Sequence, residues 1–327
     1  METVLSVEAA KPSKASAYCR ASLIRGAAER YDRERQSRRM VTRPVCALVF
    51  CAGKFPDRQI LAKLIYGLLI ESLNAVSILI GTSGWSYRSW RGPFFPQNLP
   101  AKHRLSFYAT QFPTTELNGV FYRTPTIDAV RKWRKATPDD FVFAWKASRF
   151  ITHWKRLSEN SRNSLSLMET RLRLLGDKVG PILFQMPPQF SANRDTLAHF
   201  VKMLKTNRRY AFEFRDPSWF EPAIMDLLRD NDISLCISDH RDAPAPWKIT
   251  ASFVYIRAHG PGGAYAGRYS RKRLSEWGAR IKKWNCDVYV YFDNDQKSAA
   301  PKDAQCLKEI VGQSPVRSSP VVKKRSR

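Results

Sequence analysis

Phe253-Val254-Tyr255-Ile256-Arg257-Ala258-His259 and Val288-Tyr289-Val290-Tyr291-Phe292-Asp293 decide the fold. Each is a short run of β-branched and aromatic residues, and in each the two alternating faces are unequal. Val254, Ile256 and Ala258 oppose Tyr255, Arg257 and His259; Val288, Val290 and Phe292 oppose Tyr289, Tyr291 and Asp293. A strand apolar on one side and charged at its far end on the other suits a closed parallel barrel. Its outer face meets helices, and its inner face opens into a mouth.

Working outward, similar runs occur at 78–83, 115–122, 141–147, 182–186, 210–215 and 233–239. They are too far apart for hairpins. Amphipathic helical patterns separate most of them, at 102–111, 127–135, 161–175, 196–205, 222–229 and 271–283, and one more follows the last strand at 303–311. The connection 240–250 is proline-rich and carries no helical pattern. Eight strand–helix units in about 235 residues have the size of a (β/α)₈ TIM barrel, an α/β fold in a single domain. An open doubly wound sheet usually shows a glycine-rich phosphate turn after its first strand, and Gly81-Thr82-Ser83-Gly84-Trp85 is a poor copy of one. The expected organisation is an N-terminal extension at 1–77, the barrel at 78–313 and a basic, disordered C-terminal tail at 314–327. The barrel pattern begins abruptly at Val76-Ser77-Ile78. The preceding stretch is therefore expected to lie outside the working protein, a start misassigned upstream of a valine codon of the GTG type.

Hydrophobic residues make up 43% of the 327 and aromatic residues 12%, ample for a packed core. The most apolar stretch, 60–80, is interrupted by Lys63 and Glu71, so no membrane span is expected. The net charge of +26 is spread along the chain. Residues 1–77 hold 13 basic and 7 acidic side chains and residues 315–327 hold 5 basic ones, leaving the barrel itself at +15. Such a basic protein attracts polyanions or simply stays soluble. The six cysteines form no CxxC pair and no zinc-type cluster, which fits a reducing cytoplasm.

Strand parity turns a set of polar residues inward. Glu213 and Arg215 come from the fifth strand, Glu116 and Asn118 from the second, and Lys146 from the third. Gln185 comes from the fourth, Asp239 from the end of the sixth, and Arg257, His259 and Asp293 from the last two. Barrel interiors are ordinarily filled by branched apolar side chains, and barrel enzymes keep their chemistry at the C-terminal strand ends. Buried charges must be paired, hydrogen-bonded or wetted. Two explanations follow: a self-satisfied ion-pair plug, or a ligand or catalytic pocket.

At these residues the chain resembles the YecE-like family, number seventy-two of the domains of unknown function. The resemblance covers about 78–313 and rests on an ordered set of motifs. These are Gly81-Thr82-Ser83-Gly84-Trp85-Ser86-Tyr87, Glu116-Leu117-Asn118, Phe121-Tyr122-Arg123, Lys146 with Ile151-Thr152-His153, Gln185-Met186-Pro187-Pro188 and Glu213-Phe214-Arg215 with Trp219. Arg257-Ala258-His259-Gly260, Tyr265-Ala266-Gly267-Arg268-Tyr269 and Tyr289-Val290-Tyr291-Phe292-Asp293-Asn294-Asp295 complete it. The family usually shows Asn where this chain has Asp293. The resemblance implies a barrel of the broad sugar-isomerase and apurinic-endonuclease type, with Asn294 among its site residues, and brings no established activity. Nucleic-acid processing follows only from likeness of fold.

The residues themselves support two functional readings. In the first, Glu116 or Glu213 is a general base and His259, before the flexible Gly260-Pro261-Gly262-Gly263 loop, shuttles a proton. Lys146, Arg215 and Arg257 hold a phosphate- or sugar-bearing anionic substrate, and His153 stands on a mouth loop. Trp85, Tyr87, Tyr122, Trp219 and Tyr269 offer stacking faces. The reaction is then a hydrolysis or an isomerisation. In the second reading the mouth binds nucleic acid without turnover. A divalent metal on Glu116, Glu213, Asp239 and His259 has the right donor types, but three cations aimed into the same cavity weigh against it.

Overall fold

The computed structural model describes residues 76–313. Eight parallel strands close in sequence order: β1 (Ile78–Ser83), β2 (Thr114–Leu117), β3 (Val142–Lys146), β4 (Val179–Gln185), β5 (Tyr210–Glu213), β6 (Ile233–Ser238), β7 (Phe253–Ala258) and β8 (Asp287–Phe292). β8 pairs β1 from Ile78↔Val288 to Thr82↔Phe292, so no strand edge is left open. The helices are α1 (Arg104–Gln111), α2 (Ile127–Lys135), α3 (Arg162–Leu175), α4 (Arg194–Lys202), α5 (Pro222–Asp230), α6 (Arg271–Ile281) and α7 (Ala299–Val311). Between β6 and β7 there is no helix, in line with the proline-rich 240–250 connection. The single-domain TIM barrel read from the sequence is the fold observed. The expectations for the 1–77 extension (up to residue 75) and for the 314–327 tail lie outside the described residues.

Local chemistry explains the element ends. Thr126, Asn193 and Ser270 cap α2, α4 and α6 by accepting the amides of Ala129, Thr196 and Arg273. Pro222 opens α5, where a missing N–H costs nothing. The second strand is shorter than the expected 115–122: it stops at Leu117, Asn118 turns into the helical region, and a 3₁₀ turn spans Gly119–Phe121. β-branched and aromatic residues around Gly119 had extended the apparent run. After β3 the chain makes one π-helical turn, Phe150–Trp154.

The core has two parts. Outward-facing Phe143, Ile182, Phe212, Val254, Ile256, Val288 and Phe292 pack against helix residues such as Leu172, Phe200, Leu228, Leu274 and Leu307. Inside the barrel a smaller cluster holds Val142, Ala144, Leu183, Ala211, Cys236, Phe253, Tyr255, Tyr289 and Tyr291. The alternation read from β7 and β8 is therefore the alternation observed. Above the inner cluster, at the C-terminal strand ends, the interior turns from apolar to charged. No helix among the described residues is long and apolar enough to cross a membrane. Of the cysteines, Cys236, Cys286 and Cys306 are described, and all three are free thiols.

Candidate functional site

Arg257, at the end of β7 and fully buried, is the hub of the upper interior. Its Nε and Nη2 donate to the two Glu116 oxygens at 3.1 and 2.9 Å, and its Nη1 donates to Glu213 Oε2 at 2.7 Å. Nη2 also reaches Asp293 Oδ2 at 2.7 Å. Glu116 is saturated: Ser83 Oγ donates to one oxygen at 2.5 Å and Tyr255 Oη to the other at 2.6 Å. Glu213 Oε1 accepts Arg215 Nε at 2.7 Å and lies 3.0 Å from His259 Nε2. Five strands, β1, β2, β5, β7 and β8, or the residues just beyond their ends, thus supply one connected network.

The electrostatics follow from this geometry. Burial alone would raise Glu213, but Arg215 and Arg257 outweigh it and hold the carboxyl well below the usual range. Asp293 is pulled the same way, to about 2, as Arg257, His259 and Lys146 overcome its burial. Both are ionised at neutral pH and therefore weak bases. His259 Nε2 lies 3.0 Å from Glu213 Oε1 and 3.3 Å from Arg215 Nη2, so it donates to the carboxylate when protonated and accepts from the guanidinium when not. Nδ1 is left buried without a hydrogen-bond partner, 3.5 Å from Asp293 Oδ2.

Lys146 differs from its neighbours. It ends β3, is 5% exposed, and forms no ion pair with any described carboxylate. Nζ donates to Asn118 Oδ1 at 3.2 Å and sits 4.3 Å from the centre of the Phe121 ring. Burial, reinforced by Arg257, lowers the amine to about 8 against the opposing pull of Glu116, Asp293 and Glu213. His153, half-buried and edge-on to Phe121, is lowered to about 4 by burial and by the charges of Lys146, Arg215 and Arg149, so it is neutral.

The family described as "Protein of unknown function DUF72" matches residues 79–326. The chain belongs to DUF72. The UPF0759 protein YunF of Bacillus subtilis (strain 168) is 24% identical over 269 residues, spanning 72% of this chain and 94% of YunF. The UPF0759 protein YecE of Escherichia coli (strain K12) is 29% identical over 144 residues, 44% of this chain and 50% of YecE. The crystal structure of the DUF72 protein TM1631 from Thermotoga maritima MSB8 superposes with a TM-score of 0.65 at 24% identity, covering 72% of this chain and 99% of that one. EF0366 of Enterococcus faecalis V583 gives 0.64 at 19% identity, covering 75% and 99%. At these identities the structural likeness carries the fold alone.

In this DUF72 barrel, Glu116, Glu213, Arg215, Arg257, His259 and Asp293 converge as strand parity implies, with Lys146, Asn118 and Gln185 beside them. Several roles need correction. Glu116 is the counter-ion of Arg257 and has no free lone pair directed at the mouth. Arg215 and Arg257 are held by carboxylates, and Lys146 is the cation of the three without such a partner. Asp239 faces away from the network, accepting Tyr269 Oη at 2.5 Å and the His259 amide at 2.7 Å. Tyr269 and Asn294 are buried anchors of the β7–α6 and β8–α7 loops; Asn294 donates to Gly267 O and Asp303. Trp219 is fully buried and lies flat on Phe214 at 4.6 Å, so it offers no face to a ligand. Trp85 packs edge-on against Trp133 of α2, and Tyr87 donates to Ser83 O. Only Tyr122, of the five aromatics expected at the mouth, is largely exposed, at 63%.

Of the four donors weighed for a divalent metal, Glu116 and Asp239 are each drawn to other partners. Among the described residues no group of three His, Cys, Asp or Glu side chains is placed to hold a metal ion.

Sequence reasoning missed Tyr265, whose hydroxyl accepts Arg215 Nη1 at 3.0 Å and whose ring covers His259 at 4.9 Å. The glycines around it were the available signal: Gly260, Gly263 and Gly267 all have positive φ and let the loop fold back over the mouth. It also missed Phe150 and Trp154 on the π-helical turn and Arg149 just before it. Arg149 lies over Tyr122 and Trp154 at 5.8 and 5.2 Å. Cavities of about 440 and 250 Å³ lie on the outer helical layer, the first lined by residues including Phe94, Phe112, Arg268 and Lys302.

Proposed function

We propose that the C-terminal mouth of the barrel is the catalytic pocket of an enzyme acting by acid–base chemistry on a small sugar- or phosphate-bearing anionic substrate. One observation carries the reading. Of the three cations at the C-terminal strand ends, Arg215 and Arg257 are paired with carboxylates, whereas Lys146, at the end of β3, has none within ion-pair distance. A plug evolved only to fill the barrel gains nothing from an unpaired buried cation, which costs several kcal/mol (order of magnitude). Lys146 meets the substrate, and Asn118 and Gln185 add hydrogen-bonding groups. His259, oriented by Glu213 through Nε2, handles protons through Nδ1 by way of Asp293. Tyr265 moves aside for the ligand. The reaction class that suits these parts is isomerisation or hydrolysis at a sugar carbon.

A second reading is favoured by the rim. Tyr122, Phe150 and Trp154 are 63, 46 and 59% exposed, with Arg149 between two of them. Such stacking faces beside a cation suit single-stranded nucleic acid held without turnover. Thermal-shift and turnover measurements with sugar phosphates, 2-oxo acids and single-stranded or abasic oligonucleotides separate the two. The enzyme reading expects stabilisation by a small anion, and turnover that His259→Asn abolishes while binding persists. Oligonucleotide binding that falls steeply with salt, without turnover, favours the second reading. Silence across the whole panel defeats both.

A further inference from the structure

The barrel contains its own control for Lys146. Lys178, at the start of β4, is equally buried at 5% exposure. Its Nζ donates to Arg134 O at 2.7 Å, Thr137 O at 2.7 Å and Thr137 Oγ1 at 3.2 Å. Three donors meet three acceptors, as a buried structural ammonium requires. Lys146 is given one acceptor, Asn118 Oδ1, and the face of Phe121. A site shaped to keep an ammonium permanently charged supplies an acceptor for each donor; at Lys146 two of the three N–H donors have none.

We infer that Lys146 is a covalent nucleophile, which forms an iminium with the carbonyl carbon of a small anionic aldehyde or ketone, such as an open-chain sugar phosphate or a 2-oxo acid. This deepens the catalytic reading above and rests on it. The neutral amine attacks the carbonyl carbon, so that a C–N bond forms and the C=O π pair moves to oxygen. One proton passes from nitrogen to that oxygen. A second protonation lets water leave as the C=N⁺ bond forms. Counted from the ammonium, the step converts Lys–NH₃⁺ and a carbonyl into an iminium and water, with no oxidant, reductant or external proton required. His153 packs edge-on against Phe121, the ring that Lys146 lies over, and so stands beside the amine. The iminium then withdraws electrons from the adjacent carbon, which assists loss of its proton to His259 Nδ1, the ring nitrogen without a hydrogen-bond partner. Burial supports the assignment in one more way. With the amine at about 8, a large fraction is neutral in mildly alkaline solution, whereas a surface lysine at about 10.4 is almost wholly charged.

The experiment is reductive trapping. Full-length protein is incubated with dihydroxyacetone phosphate, ribose 5-phosphate, glyceraldehyde 3-phosphate or pyruvate, with and without sodium borohydride, and the lysine adducts are mapped by peptide mass spectrometry. The expected result, with at least one probe, is a reduced adduct on Lys146 at least tenfold above the mean for other lysines. It requires borohydride and is absent in Lys146→Arg, which keeps the charge. Adducts confined to surface lysines with every probe overturn the inference. If a probe still raises the thermal transition in that case, the iminium falls and the pocket stands; if none does, the pocket reading falls with it.

Discussion

Replacing Arg257 with Met removes the cation that Glu116, Glu213 and Asp293 share, while keeping a side chain of similar length. Deleting one partner of a buried ion pair costs about 3–5 kcal/mol. Here three carboxylates lose a guanidinium at once, and protonation of one or two of them limits the damage, so a loss of about 5 kcal/mol is expected. For the 238 described residues the entropy of unfolding is about 0.5 kcal/mol per degree, which places the transition roughly 10 °C below that of the parent. The pH dependence has a definite sign. In the parent, Asp293 is held at about 2 and Glu213 well below its usual value. Their contribution is therefore present above about pH 4 and lost only as pH falls through those depressed values. Without Arg257 the same buried carboxyls rise above their unfolded values, so the variant is relatively favoured at low pH and weakened as pH rises. Scanning calorimetry of both proteins between about pH 4.5 and 8 should show the deficit narrowing toward acid. A deficit under about 3 °C, or one independent of pH, would refute the buried network.

Two further substitutions test other parts of the structure. Lys178→Met strands the carbonyls of Arg134 and Thr137 and should lower stability by about 2–4 kcal/mol in urea unfolding, leaving ligand response at the mouth unchanged; a loss below about 1 kcal/mol contradicts its structural role. Gly260→Ala places a Cβ 2.1 Å from Ala266 O at a φ of +99°, so the β7–α6 loop cannot fold back. We expect faster proteolysis of that loop and loss of small-anion binding, and wild-type behaviour in both assays would show that the fold-back is dispensable.

How far the sequence reached can be argued from particular residues. Val254, Ile256 and Ala258 alternate with Tyr255, Arg257 and His259 at period two, so one strand's polarity sufficed to orient it, and the convergence of Glu116, Glu213, Arg257 and Asp293 followed. Alternation gives a direction and not a partner. It could not say that Arg215 and Arg257 spend their donors on carboxylates, or that Asp239, one step beyond β6, turns to Tyr269. Loop residues were the least legible. Tyr265 and Tyr269 belong to the same motif, and only the three-dimensional path set by Gly260, Gly263 and Gly267 puts the first over the mouth and buries the second. The π-helical turn at Phe150–Trp154 has no apolar period of its own, and its exposed rings read as ordinary loop residues.

The account depends above all on Lys146 standing buried at the mouth without a counter-ion. Titration of the ε-carbon resonances in ¹³C-lysine-labelled protein, with Lys146 assigned through Lys146→Arg, measures this directly. A midpoint near 8 is predicted for that one resonance, against about 10.4 for ordinary lysines. A midpoint at or above about 10 would mean that a carboxylate neutralises the amine, and the case for a pocket built around it would be gone.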